Sequence, residues 1–544
     1  MADTAPPPPR VADTVAQALH GAGIRFAFGM PGGEVVTLID ALGAAGITFV
    51  LARNETAAAM MAAGASAIGG APGLLVTTLG PGLANAVNGI ADAMQERTPL
   101  IVVSGVVERA VRARYTHQIV DHAALLRPLV KASFEIEPDS AGRVAARAIS
   151  LALAAPCGPV HLDISPAVAA MSCPQGCMPA ATEERHVADV SPDNPALRAL
   201  RARLERAARP VILAGLEALR SGAAGTLRAA MATHGIPVLT TYKAKGIVDE
   251  TLPLALGGAG LSPAADRIIL PLLREADLVL LAGYDPIEMR AGWLDAFGPG
   301  ERLAELTNVA ADHGMHRPGL RLVAPAGAAL AALFAGLAPV PRWSGGDPGR
   351  ARAALAALFE GPPTWGPHAI FATLARALPP DAIVTVDSGA HRILLSQRWQ
   401  ARQPLCLLQS SGWCTMGSAI PLAIGAKATA PARSVVAVLG DGGLEMTLGE
   451  LGTLRDQGLP VIVLVLQDES LGLIEIKQRE AGLARAGVQL GTTRFDDVAR
   501  AFGGHGATVT TIEALADELH AALARPAFSL IACPVKVADY AGSF

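Results

Sequence analysis

Between Val11 and Gly105, segments of helical period alternate with short, wholly apolar runs, and the same alternation returns in two later blocks. The periodicity predicts helices over Val11–Gly21, Glu34–Leu42, Thr56–Ile68 and Ala84–Gln95,. It predicts strands over Arg25–Phe28, Thr48–Leu51, Leu74–Thr77 and Leu100–Val103. Strands separated by helices form βαβ units, and so a parallel sheet with both faces covered. The second block has strand-like runs at Val211–Leu213, Pro237–Leu239 and Leu278–Ala282. The third has them at Ile383–Val386, Ser434–Leu439, Val461–Leu466 and Phe528–Ala532. The polar stretch Cys173–Pro195 and the Pro- and Gly-rich Pro341–Gly349 read as linkers,. The expected fold is α/β, three consecutive doubly wound parallel-sheet domains over 1–185, 186–345 and 346–544.

A chain of 544 residues has room for three such cores,. With 51% hydrophobic and 17% charged residues, global disorder is excluded,. A net charge of −4 offers no basic footprint for nucleic acid,. The longest stretch without a polar side chain, Leu322–Val340, is broken by Pro325, Gly327, Gly336 and Pro339. It predicts a short buried helix between loops, not a membrane span. The Pro-rich start lacks a signal-peptide core, so a cytoplasmic protein without a membrane partner is expected,. Cys173 and Cys177 could be half a zinc site, but no second Cys/His pair stands at a suitable spacing, and unpaired loop thiols are expected,.

The segment richest in chemistry is Val435–Gly472. An apolar strand runs into Gly440-Asp441-Gly442-Gly443, and a helix follows. Glycines at such a turn let backbone N–H groups approach a phosphate, and the helix start adds positive potential. An aspartate there repels phosphate unless a divalent cation lies between them, and Mg²⁺ commonly joins carboxylates to a diphosphate. The second ligand should come from the end of the neighbouring strand. Asp468, just past Val461–Leu466, is the candidate, and the carbonyl of Ser470 could complete the protein ligands. The bland alternative is a plain Gly/Asp turn beside a polar strand end.

With these motifs the chain resembles the thiamine-diphosphate (ThDP) enzymes of the acetolactate synthase and 2-oxoacid decarboxylase group. Four more blocks in the first domain carry the resemblance: Phe28–Val35, Ala52–Gly64, Thr77–Ala93 and Thr116–Leu125; Cys414–Ala426 adds another in the third. The resemblance implies ThDP and Mg²⁺ as cofactors and Glu55 as the acid that activates the aminopyrimidine. Read locally, Glu55 is only an acid at a helix start, favoured by the macrodipole. The family usually has His before this Glu, and here Asn54 stands there. The resemblance further implies that Pro81 and Asn85 flank the pyrimidine and that Gln118 lies near the thiazolium. It implies that Thr415 and Met416 support the bent cofactor and that Gly389, Ala390 and His391 form a second diphosphate turn. Asp468 takes the place of a family Asn, adding negative charge beside the diphosphate.

Three functions remain open at this point. The first is decarboxylation of a 2-oxoacid with carboligation, which THQIVDHAAL and Gly283–Glu288 favour by resembling flavin-independent acetolactate synthases. The second is simple decarboxylation, as in benzoylformate decarboxylase; no His-His pair of the pyruvate decarboxylase kind occurs. The third is a catalytically silent ThDP-binding paralogue. The turn after Val211–Leu213 lacks a G-x-G-x-x-G fingerprint, so FAD is not expected,. The Gly257–Gly260 stretch reads as a flexible loop. The family also implies a homodimer or homotetramer whose active site is shared between subunits.

Overall fold

The computed structural model describes residues 8–173, 190–298 and 300–544. Its first sheet holds β1 (Phe26–Met30), β2 (Thr48–Leu51), β3 (Gly73–Thr77), β4 (Leu100–Gly105), β5 (Ser133–Glu135) and β6 (Pro159–Ile164). All pairings are parallel, in the order β2-β1-β3-β4-β6-β5. The second sheet holds β7 (Pro210–Ala214), β8 (Val238–Thr241), β9 (Ala255–Ala259), β10 (Leu278–Ala282), β11 (Leu303–Thr307) and β12 (Leu320–Val323). Its order is β12-β11-β10-β7-β8-β9. The third holds β13 (Ile383–Val386), β14 (Leu407–Gln409), β15 (Val435–Gly440), β16 (Val461–Gln467), β17 (His505–Thr508) and β18 (Ser529–Pro534), ordered β14-β13-β15-β16-β18-β17. The first and third sheets thus have the same strand order.

Three parallel α/β sheets are as expected, and the reason is visible in the central strands. Every residue of β16, VIVLVLQ, is buried, which suits a strand covered on both faces,. The helix Glu55–Gly69 is apolar nearly all round because it packs on two sides, against helix Pro81–Gln95 and helix Ala419–Thr429 of the third domain,. Its small residues permit this: Gly64 meets the Leu422 backbone, and Gly425 meets that of Met61.

Several local expectations are corrected. The Gly257–Gly260 stretch is no loop: Ala255–Ala259 is edge strand β9, paired to β8 across a register shift. Gly258 lies against the Tyr242 ring, where a side chain would crowd it, and Gly257 stands at φ +79°,. Leu322–Val340 does hold a buried helix, Ala326–Phe334, but its start belongs to β12. The helix expected at Glu34 begins at Val36 after a 3₁₀ turn, Gly33–Val35. The helix expected from Ala84 starts at Pro81, since proline suits the first helical position,. Cys173 is disulfide-bonded, not a free thiol; Cys177 and most of the first linker lie outside the described residues. No helix among the described residues is long and apolar enough to cross a membrane.

Candidate active site

In the third sheet the strand order reverses between β13 and β15, and ligands of open α/β sheets sit at the carboxyl ends beside that point,. The turn after β13 carries Gly389, Ala390 and His391; the turn after β15 carries Gly440, Asp441, Gly442 and Gly443. The structure brings these turns together. The Gly440 Cα faces the His391 ring, and a side chain on Gly442 would come within 3.6 Å of the Met416 methyl. Gly389 has φ +156°, and a Cβ there would lie 2.5 Å from the His391 ring,.

Asp441 is 4% exposed and opens a helix, Asp441–Met446. Its oxygens accept N–H groups from Gly442 at 2.9 Å and Glu469 at 2.6 Å. Among the described residues, Asp468 accepts one N–H, from Ser470 at 3.1 Å. Burial, and then the charge of Asp441, push the Asp468 carboxyl up to about 7; burial also raises Asp441. Two buried carboxyls whose proton affinity is raised, Asp441 chiefly by burial and Asp468 by burial and then the charge of Asp441, are what a divalent cation would relieve,. Ser470 is buried beside them, its hydroxyl donating to Glu475 at 2.6 Å.

The rest of the turn fits a diphosphate. His391 Nε2 and the Ser388 hydroxyl are buried without a hydrogen-bond partner. Burial, then the neighbouring Arg392, lowers His391 to about 3, so its imidazole is neutral. Buried polar atoms left without a partner at a helix start are what a bound diphosphate, with its own cation and water, would satisfy,. The residues present therefore suit ThDP and Mg²⁺.

The first domain gathers a second set. Asn54 caps helix Glu55–Gly69, its side-chain oxygen accepting from Thr56 N at 2.9 Å and Ala57 N at 3.4 Å. In place of the family His, the chain thus has a strong helix-capping residue. Glu55 follows, 6% exposed, and accepts the Asn85 side-chain N–H at 2.5 Å. Asn85 rides on helix Pro81–Gln95, whose first turn stands beside Gln118. Gln118 is exposed, with φ +57°, and its backbone oxygen packs on Gly80.

Among the described residues, no hydrogen bond or ion pair joins Glu55 or Gln118 to Asp441, Asp468 or His391. The two sets are linked only through their carriers. Asn88 donates to the Thr415 hydroxyl at 2.9 Å, and Glu450 accepts the Arg53 N–H at 3.0 Å. Glu450 and Asp387 are site residues that the sequence did not reveal. Asp387, fully buried, accepts N–H groups from Gly417 and Ser418 at 2.9 and 3.1 Å, so it ties the Met416 loop to the turn after β13. An acid ending a strand just before Ser388-Gly389 was the available signal. The loop before Thr415 is pinned in the same manner, Asp92 accepting from Ser410 at 2.6 Å and Glu96 from Gly412 and Trp413 at 2.6 and 2.9 Å.

Comparison with known proteins gives this arrangement its class. Residues 9–125 match the thiamine pyrophosphate enzyme N-terminal TPP binding domain, residues 197–333 the central domain and residues 387–533 the C-terminal TPP binding domain. The chain belongs to the thiamine-diphosphate (thiamine pyrophosphate) enzymes. Within that family it is similar, along nearly its whole length, to acetolactate synthases. It is 29% identical to the acetolactate synthase of Bacillus subtilis (strain 168), covering 97% of this chain and 94% of the relative. It is 29% identical to the acetolactate synthase large subunit of Parasynechococcus marenigrum (strain WH8102), covering 94% and 85%. For the isozyme 2 large subunit of Escherichia coli (strain K12) the identity is 28%, covering 94% and 92%.

Proposed function

We propose that the protein is an acetolactate-synthase-like carboligase: it decarboxylates a 2-oxoacid such as pyruvate and joins the remaining acyl unit to a second 2-oxoacid. The observation that carries the reading is the cation-seeking pair Asp441 and Asp468 beside the orphaned His391, in a chain similar to acetolactate synthases from end to end. ThDP, when bound, supplies a carbon acid that, once ionised, adds to a 2-oxo group and holds the electron pair released with CO₂. The chain's residues do the rest. Asp441, Asp468 and the Ser470 carbonyl hold Mg²⁺; His391, Ser388 and the amides of Gly440–Gly443 bind the diphosphate. Met416 and Thr415 support the cofactor from the third domain. Glu55 holds a proton at the aminopyrimidine ring nitrogen, and Asn85, bonded to it, sets its direction. Pro81 flanks the ring, and Gln118 faces the reacting carbon.

We read the two sets as half-sites, each completed by a second copy of the chain, so that the working protein is a homodimer or a dimer of dimers. Exposed apolar side chains support this: Tyr115, Ile119 and Val120 flank Gln118, and Met446, 62% exposed, follows the Gly440 turn. The domain division proposed is that of the three sheets, 1–185, 186–345 and 346–544. The central domain acts without flavin in this reading. At its switch point the turns after β7 and β10 close on each other, Gly215 N donating to Ala282 O at 2.9 Å and Glu217 N to Gly283 O at 3.1 Å. Purified protein should then carry no flavin absorption band.

The deciding experiment supplies ThDP, Mg²⁺ and a panel of 2-oxoacids and follows substrate, CO₂ and product together. Carboligation of pyruvate releases one CO₂ for two pyruvates consumed. One CO₂ per pyruvate with free aldehyde would establish the simple decarboxylase instead, and no turnover of any 2-oxoacid would leave the silent paralogue.

A further inference from the structure

We propose that His122, held by Asp163, is a positioning residue that fixes the Gly80 turn and, through it, Gln118 and the start of the Asn85 helix. What that turn touches in the working enzyme rests on the function proposed above; the contact itself does not.

His122 opens the short helix His122–Leu126, which Asp121 caps, and its side chain is 3% exposed. Its Nδ1 lies 2.7 Å from Asp163 Oδ1 at the end of β6. Burial works to raise Asp163, but hydrogen bonds from His122 and His161 outweigh it and hold the carboxyl below its usual range. Asp163 is therefore a carboxylate and can only accept. The proton sits on His122 Nδ1, and Nε2 presents a lone pair. That lone pair accepts the Gly80 N–H at 3.3 Å.

Gly80 needs such a partner. It is the N-cap of helix Pro81–Gln95, where no side chain caps the helix, and its backbone stands at φ +54°, ψ −102°. A Cβ there would lie 2.3 Å from the Gln118 carbonyl oxygen. Turn and Gln118 backbone are thus in direct contact, and His122 is the side chain that fastens them to the sheet. Beside them is a cavity of about 350 Å³ lined in part by Leu79, Gln118, His122, Phe134 and Asp163. A turn released from His122 has room to shift into it, carrying Asn85 away from Glu55.

His161 stands next to the pair, its ring centroid 5.9 Å from that of His122, so that His122, His161 and Asp163 could be read as metal ligands. The hydrogen bonds argue otherwise. His161 Nδ1 pairs with the Ser133 hydroxyl at 2.6 Å and Nε2 with that of Ser104 at 3.2 Å, while both His122 nitrogens are used. Every ring nitrogen has a partner, so the group is a structural relay.

Two substitutions separate the two bonds. His122→Asn keeps an amide near Nδ1 that donates to Asp163 but cannot reach Gly80. His122→Gln places its oxygen near Nε2, where it accepts the Gly80 N–H. Steady-state kinetics with ThDP, Mg²⁺ and pyruvate should show kcat/KM roughly ten- to a hundredfold lower for His122→Asn, the scale of one orphaned buried donor. His122→Gln should stay within a few-fold of the parent. ThDP retention should be equal in all three, since the diphosphate contacts are in the third domain. Hydrogen–deuterium exchange of the peptide containing Gly80, followed by mass spectrometry, should be faster in His122→Asn alone. Parent-like exchange and turnover in His122→Asn would overturn the proposal, and so would equal losses in both variants, which would mark packing instead of the Gly80 bond. If the parent itself turns over no 2-oxoacid, the proposed function fails, while the exchange measurement still decides the His122 contact.

Discussion

In the function proposed above, Asp468 supplies the second charge that makes the Asp441 turn a cation site, and Asp468→Asn isolates it. In protein stripped of metal, Asp468 holds its proton up to about 7, because of burial and then Asp441, against an ordinary value of 3.8. The unfolded chain releases that proton near the ordinary value, so between the two the native state binds more protons than the unfolded state. Stability must then fall as pH rises through the window from 3.8 to about 7,. The full difference corresponds to at most about 4 kcal/mol, lost by the time pH passes the upper value. Asp468→Asn has no carboxyl to ionise and should not show this fall. Urea unfolding of chelated protein across the window, read by tryptophan fluorescence, checks it; Trp365, Trp399 and Trp413 report on the third domain. Added Mg²⁺ should stabilise the parent most at the alkaline end, where both carboxylates are free to bind it, and should help the variant less. Identical pH slopes for chelated parent and variant would refute the two-carboxylate argument.

Chelation with dialysis should abolish turnover, and only ThDP together with a divalent cation should restore it; Asp441→Ala should fail to retain ThDP by equilibrium dialysis. Mixing Glu55→Ala with Asp441→Ala subunits should restore part of the activity if the half-sites lie on different chains, and no recovery after proven subunit exchange would count against a shared site. Asn54→Ala removes the acceptor for two helix N–H groups and should cost about 1 kcal/mol in denaturant unfolding, with Asn54→Ser close to the parent,.

What could be read from sequence was what is local. The apolar run of β16 and the glycines around Asp441 announce themselves within a few residues, and the structure places them together at the strand ends. Elements without such a signal were missed. β5 is three half-buried residues, and β9 hides in a Gly-rich stretch where Gly258 packs on the Tyr242 ring. Helix starts were displaced by local chemistry: Pro81 sets one and a 3₁₀ turn delays another. The unseen site residues are those whose partners lie far along the chain. Glu450 meets Arg53 across 397 positions, and His122 meets Asp163 across 41. No spacing rule reveals such pairs, because sheet topology creates them.

In the function proposed above, Glu55 supplies the activating acid while the third domain supplies cofactor binding. Deuterium exchange at the C2 position of bound ThDP, by rapid quench and NMR, tests it independently of later steps. Glu55→Gln keeps the size of the side chain and its contact with Asn85 but cannot deliver the proton. Exchange should slow by about 10²–10⁴-fold, the scale of general acid–base catalysis, while ThDP stays bound. Exchange as fast as in the parent, with ThDP retained, would contradict the claim.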